Sequence, residues 1–118
     1  MTPVLQSLIA GRWLGQQPAH LLRSAVNGRP VAHTHAEAPA FDEALHHAGQ
    51  VGGPALRALG FQERAAILKA LARYLGEHKE PLYALSAHTG ATRTDGWIDI
   101  EGGSGTLAAY AAFASAEL

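Results

Sequence analysis

The longest regular alternation of apolar and polar positions spans residues 61–75, FQERAAILKALARYL, where apolar residues recur at three- and four-residue intervals. The apolar stripe consists of Ile67, Leu68, Leu71 and Leu75. This spacing predicts an amphipathic helix that buries the stripe and extends to about Glu77. Gly60 is a permitted N-cap, and Glu63 then stands at N3, where its carboxylate favours the positive end of the helix.

The N-terminal third has the short apolar runs and turn residues that are typical of β-hairpins. The predicted strands are Leu8–Ile9, Arg12–Leu14, Leu21–Val26 and Arg29–Thr34. Ala10-Gly11 offers the first turn. Asn27-Gly28 joins the second pair of strands and predicts a type I′ turn, which needs positive φ at both central positions. Pro30 lacks a backbone N–H group and therefore restricts the return strand to an edge.

Weaker helical patterns flank the main helix. Residues 39–48 predict a helix with Pro39 in its first turn. Its apolar face is Phe41, Ala44, Leu45 and Ala48. Residues 49–54 are predicted to break the chain, and residues 55–59 allow one helical turn. After the main helix, Pro81 is predicted to open another helix. Its expected buried residues are Leu82, Tyr83 and Leu85, and its expected end is Thr89-Gly90.

The last segment, residues 94–118, leaves two interpretations open. Residues 97–101 are compatible with a strand, whereas a longer apolar pattern is compatible with one face of a helix. The positions on that face are Ile100, Ser104, Leu107, Ala111 and Ala114. Three glycines inside such a helix would each cost about 1 kcal/mol relative to alanine, so the helix would depend on packing for its stability.

Composition narrows the function classes. The 118 residues suit one small domain or a piece of a larger one, and 47% are hydrophobic. Only 16% are charged, a fraction that suits a surface covered by further polypeptide or by another subunit. The net charge of −1 argues against nucleic-acid binding. No apolar run approaches the ~20 residues of a membrane span, and no signal-peptide pattern opens the chain, so we expect a cytoplasmic protein.

One motif matches a nucleotide-binding fingerprint. Residues 103–108, GSGTLA, fit G-x-G-x-x-A between a possible strand and an apolar helix. The acidic ribose partner, expected ~20 residues further on, would lie beyond Leu118, and no return strand follows. We therefore favour a packed glycine-bearing helix over a dinucleotide loop.

Other candidate chemistry is equally sparse. The absence of cysteine excludes disulfides, cysteine zinc ligands and a cysteine nucleophile in this chain. Seven histidines include the strand-spaced pair His33 and His35 and the adjacent pair His46 and His47, but a zinc site needs three or four converging ligands. We therefore expect solvated or capping histidines and no metal site.

Two further groups of polar residues contain catalytic residue types. The acidic cluster is Asp95, Asp99 and Glu101, and the residues of triad type are Ser86, His88 and Asp95. Asp95 is more simply a favourable first-turn charge, and the triad types have no diagnostic spacing. We assign no catalytic, cofactor-binding or metal-ligating residue. The aromatic residues expected to be core or interface anchors are Trp13, Trp97, Tyr74, Tyr83 and Tyr110.

Taken in order, several segments resemble the N-terminal region of the aldehyde dehydrogenase superfamily, from about Leu5 to Leu118. These segments are LIAGRWLG, AVNGRPVA, FQERAAILKALARYL and LYALSAHTGATRTDGWIDIEGGSGTLAAYAAFAS. The string TGATRTDGWIDIEGGSGTL most resembles the dehydrogenase half of the bifunctional proteins of phenylacetate degradation, in which a hydratase half follows.

The resemblance implies a fold. It is mostly α with N-terminal β-hairpin strands, an α+β piece of the larger α/β aldehyde dehydrogenase fold. The chain would be a single partial domain over residues 1–118. Residues 5–34 would form the hairpin region, and helices in residues 39–118 would form the outer layer of a cofactor-binding domain. The last segment would be helical, with Gly102–Gly105 at a helix–helix contact.

The resemblance also implies what is missing. The family attacks an aldehyde with a cysteine thiolate and transfers hydride to NAD(P), and none of the groups that do this has a counterpart in residues 1–118. We therefore expect a catalytically inert N-terminal fragment of an oligomeric, NADP- or NAD-dependent dehydrogenase acting on a CoA-linked semialdehyde. Its partner would be the remainder of the dehydrogenase or its subunits. A structural monovalent cation in some relatives would lie near Asp99 or Glu101. The alternative is a stand-alone helical interaction module or decoy subunit.

Overall fold

A computed structural model describes residues 1–38 and 40–116, apart from the side chain of Ser115. The elements are β1 (Ser7–Ile9), β2 (Arg12–Leu14), β3 (Pro18–Arg23), β4 (Pro30–His35), α1 (Phe41–His47), a π-helical turn (Ala48–Gly52), α2 (Gly53–Ala58), α3 (Phe61–Glu77), α4 (Lys79–Ala87) and α5 (Arg93–Ala116). The predicted fold, mostly helical with N-terminal hairpin strands, is confirmed. Contacts divide the chain into two compact units, Met1–Ala55 and Leu56–Leu118.

The first hairpin pairs β1 with β2 in an antiparallel ladder that ends at the Ile9–Arg12 pair. Its two connecting residues, Ala10 and Gly11, have φ values of +49° and +78°. Positive φ at both central positions is the signature of a type I′ turn, whose twist matches that of the flanking strands. The predicted hairpin is therefore confirmed, and its turn at Ala10-Gly11 has the type I′ conformation.

The second hairpin pairs β3 with β4, and its loop differs from the predicted one. The Ser24 N–H group donates to the Arg29 carbonyl at 2.9 Å, so the loop is longer than two residues. Gly28 has positive φ but Asn27 does not, and the Asn27 side-chain oxygen accepts a 3.0 Å hydrogen bond from the Arg29 N–H group. The type I′ prediction at Asn27-Gly28 is wrong, because the asparagine stabilises the loop through its side chain.

Strand β4 has a neighbour on each side. Besides β3, the segment Pro3–Leu5 lies beside it: the Leu5 N–H group donates to the His33 carbonyl and the His33 N–H group donates to the Pro3 carbonyl, both at 2.8 Å. The predicted edge position for this strand is therefore wrong at His33. Pro30 is tolerated because it is the first residue of the strand, where no donor is needed.

The chain stays helical where a break was predicted. Residues 49–54 lie in the π-helical turn and at the start of α2. Pro54 falls in the first turn of α2, where the N–H group that proline lacks has no intrahelical partner in any case. Helix α1 is confirmed, but its apolar side chains Phe41 and Leu45 are 73% and 75% exposed. Pro39 lies outside the described residues.

Helix α3 has the predicted bounds and cap. Gly60 is the N-cap, and its N–H group donates to Glu63 Oε2 at 2.7 Å. The predicted buried stripe is only partly correct. Ala65 is buried and Leu68 and Leu75 are half-buried. The other two stripe residues, Ile67 and Leu71, are 53% and 44% exposed.

Helix α4 begins at Lys79, two residues before the predicted start, with Pro81 in its first turn. Tyr83 is buried as expected and Leu82 is half-buried, whereas Leu85 is 58% exposed, so burial of Leu85 is a wrong prediction. The helix ends in a turn closed by Gly90, whose φ is +88° and whose N–H group donates to the Ala87 carbonyl.

Helix α5 settles the two interpretations of the last segment, and the strand interpretation is wrong. The predicted face is the covered one: Ala111 is buried, and the others are half-buried, namely Ile100, Ser104, Leu107 and Ala114. Residues 103–108 lie in mid-helix, where their N–H groups bond within the helix and form no phosphate-binding loop.

The glycines of α5 differ from the expectation of a helix–helix contact. A Cβ atom at Gly102, Gly103 or Gly105 would meet no other atom within 4 Å, so the described chain makes no such contact there. Gly96 is the helical glycine that packs closely, because a Cβ atom on it would lie 3.1 Å from the Tyr83 ring.

Each of the two units buries few apolar residues among those that the structure describes. The buried apolar residue of the first unit is Ala32, and those of the second unit are Ala65, Tyr83 and Ala111. Of the expected aromatic anchors, Tyr83 is therefore in the core. The others are more than half exposed, namely Trp13, Trp97, Tyr74 and Tyr110. Three alanines and one tyrosine bury little apolar surface, which leaves the apolar faces of several helices uncovered.

None of the helices in residues 1–38 and 40–116 combines the length and the apolar content that crossing a bilayer requires.

Candidate functional site

Polar side chains of α4 and α5 come together in one cluster within the second unit. We name this the α4–α5 cluster; its members are Lys79, Glu80, Tyr83, Arg93 and Glu101. The first three lie on α4, where residues four apart share a face. The last two lie eight residues apart on α5, which also places them on one side of that helix. The crossing of the two helices therefore assembles the cluster.

A reciprocal capping box fixes where α5 begins. The Thr92 N–H group and hydroxyl donate to Asp95 Oδ2 at 2.9 and 2.7 Å, and the Asp95 N–H group donates back to the Thr92 hydroxyl at 3.2 Å. These hydrogen bonds, first the one from the Thr92 side chain, lower the pKa of Asp95. Asp95 therefore caps the helix and is not part of a catalytic pair.

Two ion pairs and one phenol link the helices. Glu101 Oε1 accepts hydrogen bonds from the Tyr83 hydroxyl at 2.8 Å and from Lys79 Nζ at 3.1 Å. Arg93 donates to both carboxylate oxygens of Glu80, at 2.8 and 3.1 Å. The Arg93 guanidinium also lies 3.7 Å from the centre of the Tyr83 ring, within the range of a cation–π contact.

The electrostatics of the cluster favour structure over catalysis. Two cations face two carboxylates, so the charges balance. The Tyr83 hydroxyl, and next Lys79, lower the pKa of Glu101, and the Arg93 hydrogen bond lowers the pKa of Glu80. Burial, and next the hydrogen bond to Glu101, raises the pKa of Tyr83. The lowered pKa values make the two glutamates weaker bases, and the raised pKa makes Tyr83 a weaker acid. Proton transfer near neutral pH requires the opposite shifts.

Acid is expected to weaken the α4–α5 contact. The pKa values of Glu80 and Glu101 lie below their ordinary 4.5, so the folded state holds both carboxylates charged more firmly than the unfolded state does. Their stabilisation is present above about pH 4.5 and is lost as the pH falls through the folded-state pKa values. The loss is measured as a fall in the urea midpoint between pH 7 and pH 3, with unfolding followed by circular dichroism.

The matched control for this titration removes the carboxylates and keeps the shape of their side chains. The double variant Glu80→Gln, Glu101→Gln is expected to have a lower urea midpoint at pH 7 and a flatter pH profile. An acid-induced loss equal to that of the unchanged chain would place the titrating groups elsewhere.

The other residue types of catalytic interest do not converge. Asp99 is exposed and has no ion-pair partner in the described chain. The Ser86 carbonyl accepts the Thr89 hydroxyl at 2.8 Å, and no hydrogen bond joins Ser86, His88 or Asp95 to one another in residues 1–38 and 40–116. Ser86, His88 and Asp95, which carry the residue types of a triad, are therefore not joined into one in the described residues.

The histidines are separated too. In the first unit, His35 Nε2 lies 3.0 Å from the Ser7 hydroxyl, and His33 contributes its backbone to the sheet. His46 is exposed on α1, and His47 beside it is half-buried. The described part of the chain brings together no group of three or more histidine, aspartate or glutamate side chains that is able to hold a metal ion.

An open groove of about 580 Å³ lies between α3 and α5. We name it the α3–α5 groove; its lining residues are Ala66, Lys69, Ala70, Ala72, Arg73, Ser104, Gly105 and Ala108. Most of these side chains are small, and two are cationic. The polar side chains that line the groove are Lys69, Arg73 and Ser104, and its lining contains neither a thiol nor a carboxylate.

The sequence pattern identifies Glu101 and Tyr83 as residues of interest but not the ion pairs of the cluster. Lys79 and Glu101 are 22 positions apart, and Glu80 and Arg93 are 13 apart. Local charge patterns reach only three or four residues along a helix, so these pairs leave no periodic signal.

Comparisons with known proteins identify a family. The model described as "Aldehyde dehydrogenase family" matches residues 15–117. A 3,4-dehydroadipyl-CoA semialdehyde dehydrogenase from Aromatoleum evansii is 31% identical over 109 residues, which cover 91% of this chain and 21% of that protein. The chain thus spans about a fifth of the length of this curated relative. On the strength of the match over residues 15–117, the chain belongs to the aldehyde dehydrogenase family.

Proposed function

We propose that this chain supplies the N-terminal part of an NAD(P)-dependent aldehyde dehydrogenase that oxidises a CoA-linked semialdehyde in phenylacetate degradation. By itself the chain is catalytically inert. The supporting observations are its family membership and its similarity to a protein named for a CoA semialdehyde. The proposal includes a cytoplasmic, oligomeric enzyme whose NADP or NAD is bound by the remaining polypeptide.

The observation that carries the inertness of the chain is the absence of cysteine from all 118 residues. Thiolate attack on the aldehyde carbonyl needs a cysteine, and the 118 residues contain none. The α4–α5 cluster uses its carboxylates in ion pairs, and the α3–α5 groove is lined by neither a thiol nor a carboxylate.

Uncovered apolar surface supports the remainder of the dehydrogenase as the partner. Side chains that a complete fold would cover are about half exposed or more; they include Phe41, Leu45, Ile67, Leu71 and Phe113. Exposed apolar surface on several helices at once is typical of a surface that other polypeptide covers. About four fifths of the relative's length lies outside the match.

Two assays test the proposal. The purified chain is mixed with NADP or NAD and a CoA-linked semialdehyde, and the absorbance of the reduced cofactor is expected to stay at the blank level. The chain is then added to the Aromatoleum evansii dehydrogenase from which the matching segment has been deleted. We expect the chain to bind this truncated protein and to raise its aldehyde-dependent cofactor reduction.

The intact relative serves as the positive control for both assays. Cofactor reduction by the chain alone would contradict the proposal that the chain is catalytically inert. A truncated dehydrogenase that neither binds the chain nor gains activity would overturn the assigned partner.

A further inference from the structure

We propose that Asn27 is a site of spontaneous covalent modification, at which the chain converts its asparagine into aspartate or isoaspartate whenever the loop that carries it opens. That loop, residues 24–29, connects β3 and β4, and we name it the β3–β4 loop. The conversion adds one carboxylate to the tip of the second hairpin. Water is the only reactant that comes from outside the chain, so the reaction does not depend on the function of the rest of the polypeptide.

The sequence places the required groups next to each other. Asn27 is the only asparagine of the chain, and Gly28 follows it directly. The Gly28 backbone nitrogen attacks the Asn27 side-chain carbonyl carbon, Cγ, and forms an N–Cγ bond. The Cγ–Nδ2 bond breaks, and the amide leaves as ammonia with the proton that the nitrogen gives up. Glycine favours this attack because it has no side chain to obstruct the approach of its nitrogen.

The structure leaves this pair accessible. Asn27 and Gly28 are both exposed, so water and hydroxide reach them. No atom of the described chain lies within 4 Å of the place that a Cβ atom on Gly28 would take. No packed neighbour therefore holds the pair in place, and the restraint on it comes from hydrogen bonds within the loop.

Two hydrogen bonds restrain the reacting groups while the loop is closed. The Gly28 N–H group donates to the Ser24 carbonyl at 2.9 Å, which occupies the nitrogen that has to attack. The Asn27 side-chain oxygen accepts from the Arg29 N–H group at 3.0 Å, which fixes the carbonyl that has to be attacked. Ser24 is buried and anchors the loop. Local opening that breaks both hydrogen bonds is therefore the step that permits the reaction.

A second acidic-type pair in the chain lacks this freedom. Asp95-Gly96 is able to form the same cyclic imide by loss of water, but Asp95 is held in the capping box with Thr92. The Gly96 N–H group donates to the Thr92 carbonyl at 3.0 Å, and Gly96 is buried. A Cβ atom on Gly96 would lie 3.1 Å from the Tyr83 ring, so this pair has no room to rearrange. The structure therefore favours reaction at Asn27 over reaction at Asp95.

The two products affect the loop differently. Water opens the cyclic imide at either carbonyl, which gives aspartate or isoaspartate. Aspartate keeps an oxygen that accepts from the Arg29 N–H group, and its charge strengthens that hydrogen bond. Arg23 adds a nearby cation, since its Nη1 atom donates to the Gly28 carbonyl at 3.0 Å. Isoaspartate lengthens the main chain by one carbon atom, so we expect it to break the hydrogen bond between Gly28 and Ser24.

The test incubates the full 118-residue chain in mildly alkaline buffer, once folded and once unfolded in guanidinium chloride. Anion exchange separates the species that has gained a negative charge, and peptide mapping by mass spectrometry locates the change. We expect the change at Asn27, and isoaspartate at position 27 but not at Asp95 in the folded chain. The folded chain is expected to react about tenfold more slowly or less, because two hydrogen bonds have to break first.

Two further measurements separate the chemistry from the control by the loop. Gly28→Ala is expected to react severalfold more slowly than the unchanged chain when both are unfolded, because the added methyl group obstructs the attacking nitrogen. In the folded chain, the factor by which the loop slows the reaction is expected to equal the protection of the Gly28 N–H group against hydrogen exchange.

Each contrary outcome overturns a named part of the proposal. A charge change that maps to a glutamine, or an unfolded Gly28→Ala chain that reacts as fast as the unchanged one, would overturn Asn27 as the site. Equal rates in the folded and unfolded chains would overturn control by the loop. A folded chain that stays unmodified while its Gly28 N–H group exchanges freely would overturn opening as the step that permits the reaction.

Discussion

Replacing Gly15 by alanine is expected to destabilise the first unit by about 3 kcal/mol, the sum of backbone strain and a steric clash. Gly15 is buried and has a φ of +106°, a conformation that side chains rarely allow. A Cβ atom on it would lie 2.5 to 2.7 Å from the Cγ, Cδ2 and Cβ atoms of His35. The ring cannot simply turn aside, because the Cβ atom of His35 itself is in the way and Nε2 lies 3.0 Å from the Ser7 hydroxyl.

Amide hydrogen exchange measures this loss where it occurs. The N–H groups of Leu5 and His33, which bond across β4 and the Pro3–Leu5 segment, are expected to exchange faster in Gly15→Ala. Gly28→Ala is the matched control, since Gly28 also has positive φ but has no atom within 4 Å of the Cβ position. Its expected loss is about 1 kcal/mol, from the backbone alone. Equal protection loss in the two variants would contradict the role of the His35 contact.

The sequence predicted best the features that depend on residues close to one another along the chain. The bounds of α3 and its Gly60 cap follow from apolar periodicity and from cap chemistry, and the structure confirms them. The spacing left a strand and a helix open for the last segment, and the structure shows the helix and its expected covered face. These features depend on residues within one or two turns of each other. The contact between Gly15 and His35 joins residues 20 positions apart and has no such signal.

For the apolar stripe of α3, periodicity predicts the helix correctly but not the burial of its residues. It identifies Ile67 and Leu71 as apolar, but it does not say whether the surface that covers them belongs to the same polypeptide. Both are exposed in this chain, while Ala65, a less apolar member of the helix, is buried beside α5. The sequence pattern therefore predicted burial for two residues that the described chain leaves exposed.

The misplaced type I′ turn has a local cause. The pair Asn-Gly is the most frequent choice for that turn, but an asparagine side chain also has the option of bonding a nearby N–H group. Asn27 takes that option with Arg29. Ala10 instead adopts positive φ in the short β1–β2 hairpin, a conformation that its propensity did not predict.

Replacing Gly96 by leucine is expected to destabilise the second unit by about 2 kcal/mol, since overpacking outweighs the gain in helix propensity. Gly96 lies in the first turns of α5, directly over the Tyr83 ring. A Cβ atom on it would lie 3.1 and 3.3 Å from two ring carbons and 3.4 Å from the Ser86 hydroxyl. The larger side chain has to push α5 away from α4, which also lengthens the 2.8 Å hydrogen bond from Tyr83 to Glu101.

Urea unfolding followed by circular dichroism checks this prediction, with Gly103→Leu as the matched variant. Both changes give α5 the same new side chain and the same gain in helix propensity, about 0.8 kcal/mol. At Gly103 no atom lies within 4 Å of the Cβ position, so that variant is expected to be stabilised by about this amount. The two variants should therefore move the urea midpoint in opposite directions. A Gly96→Leu chain as stable as Gly103→Leu would show that α5 does not rest on Tyr83 at this point, and the α4–α5 cluster would lose its geometric basis.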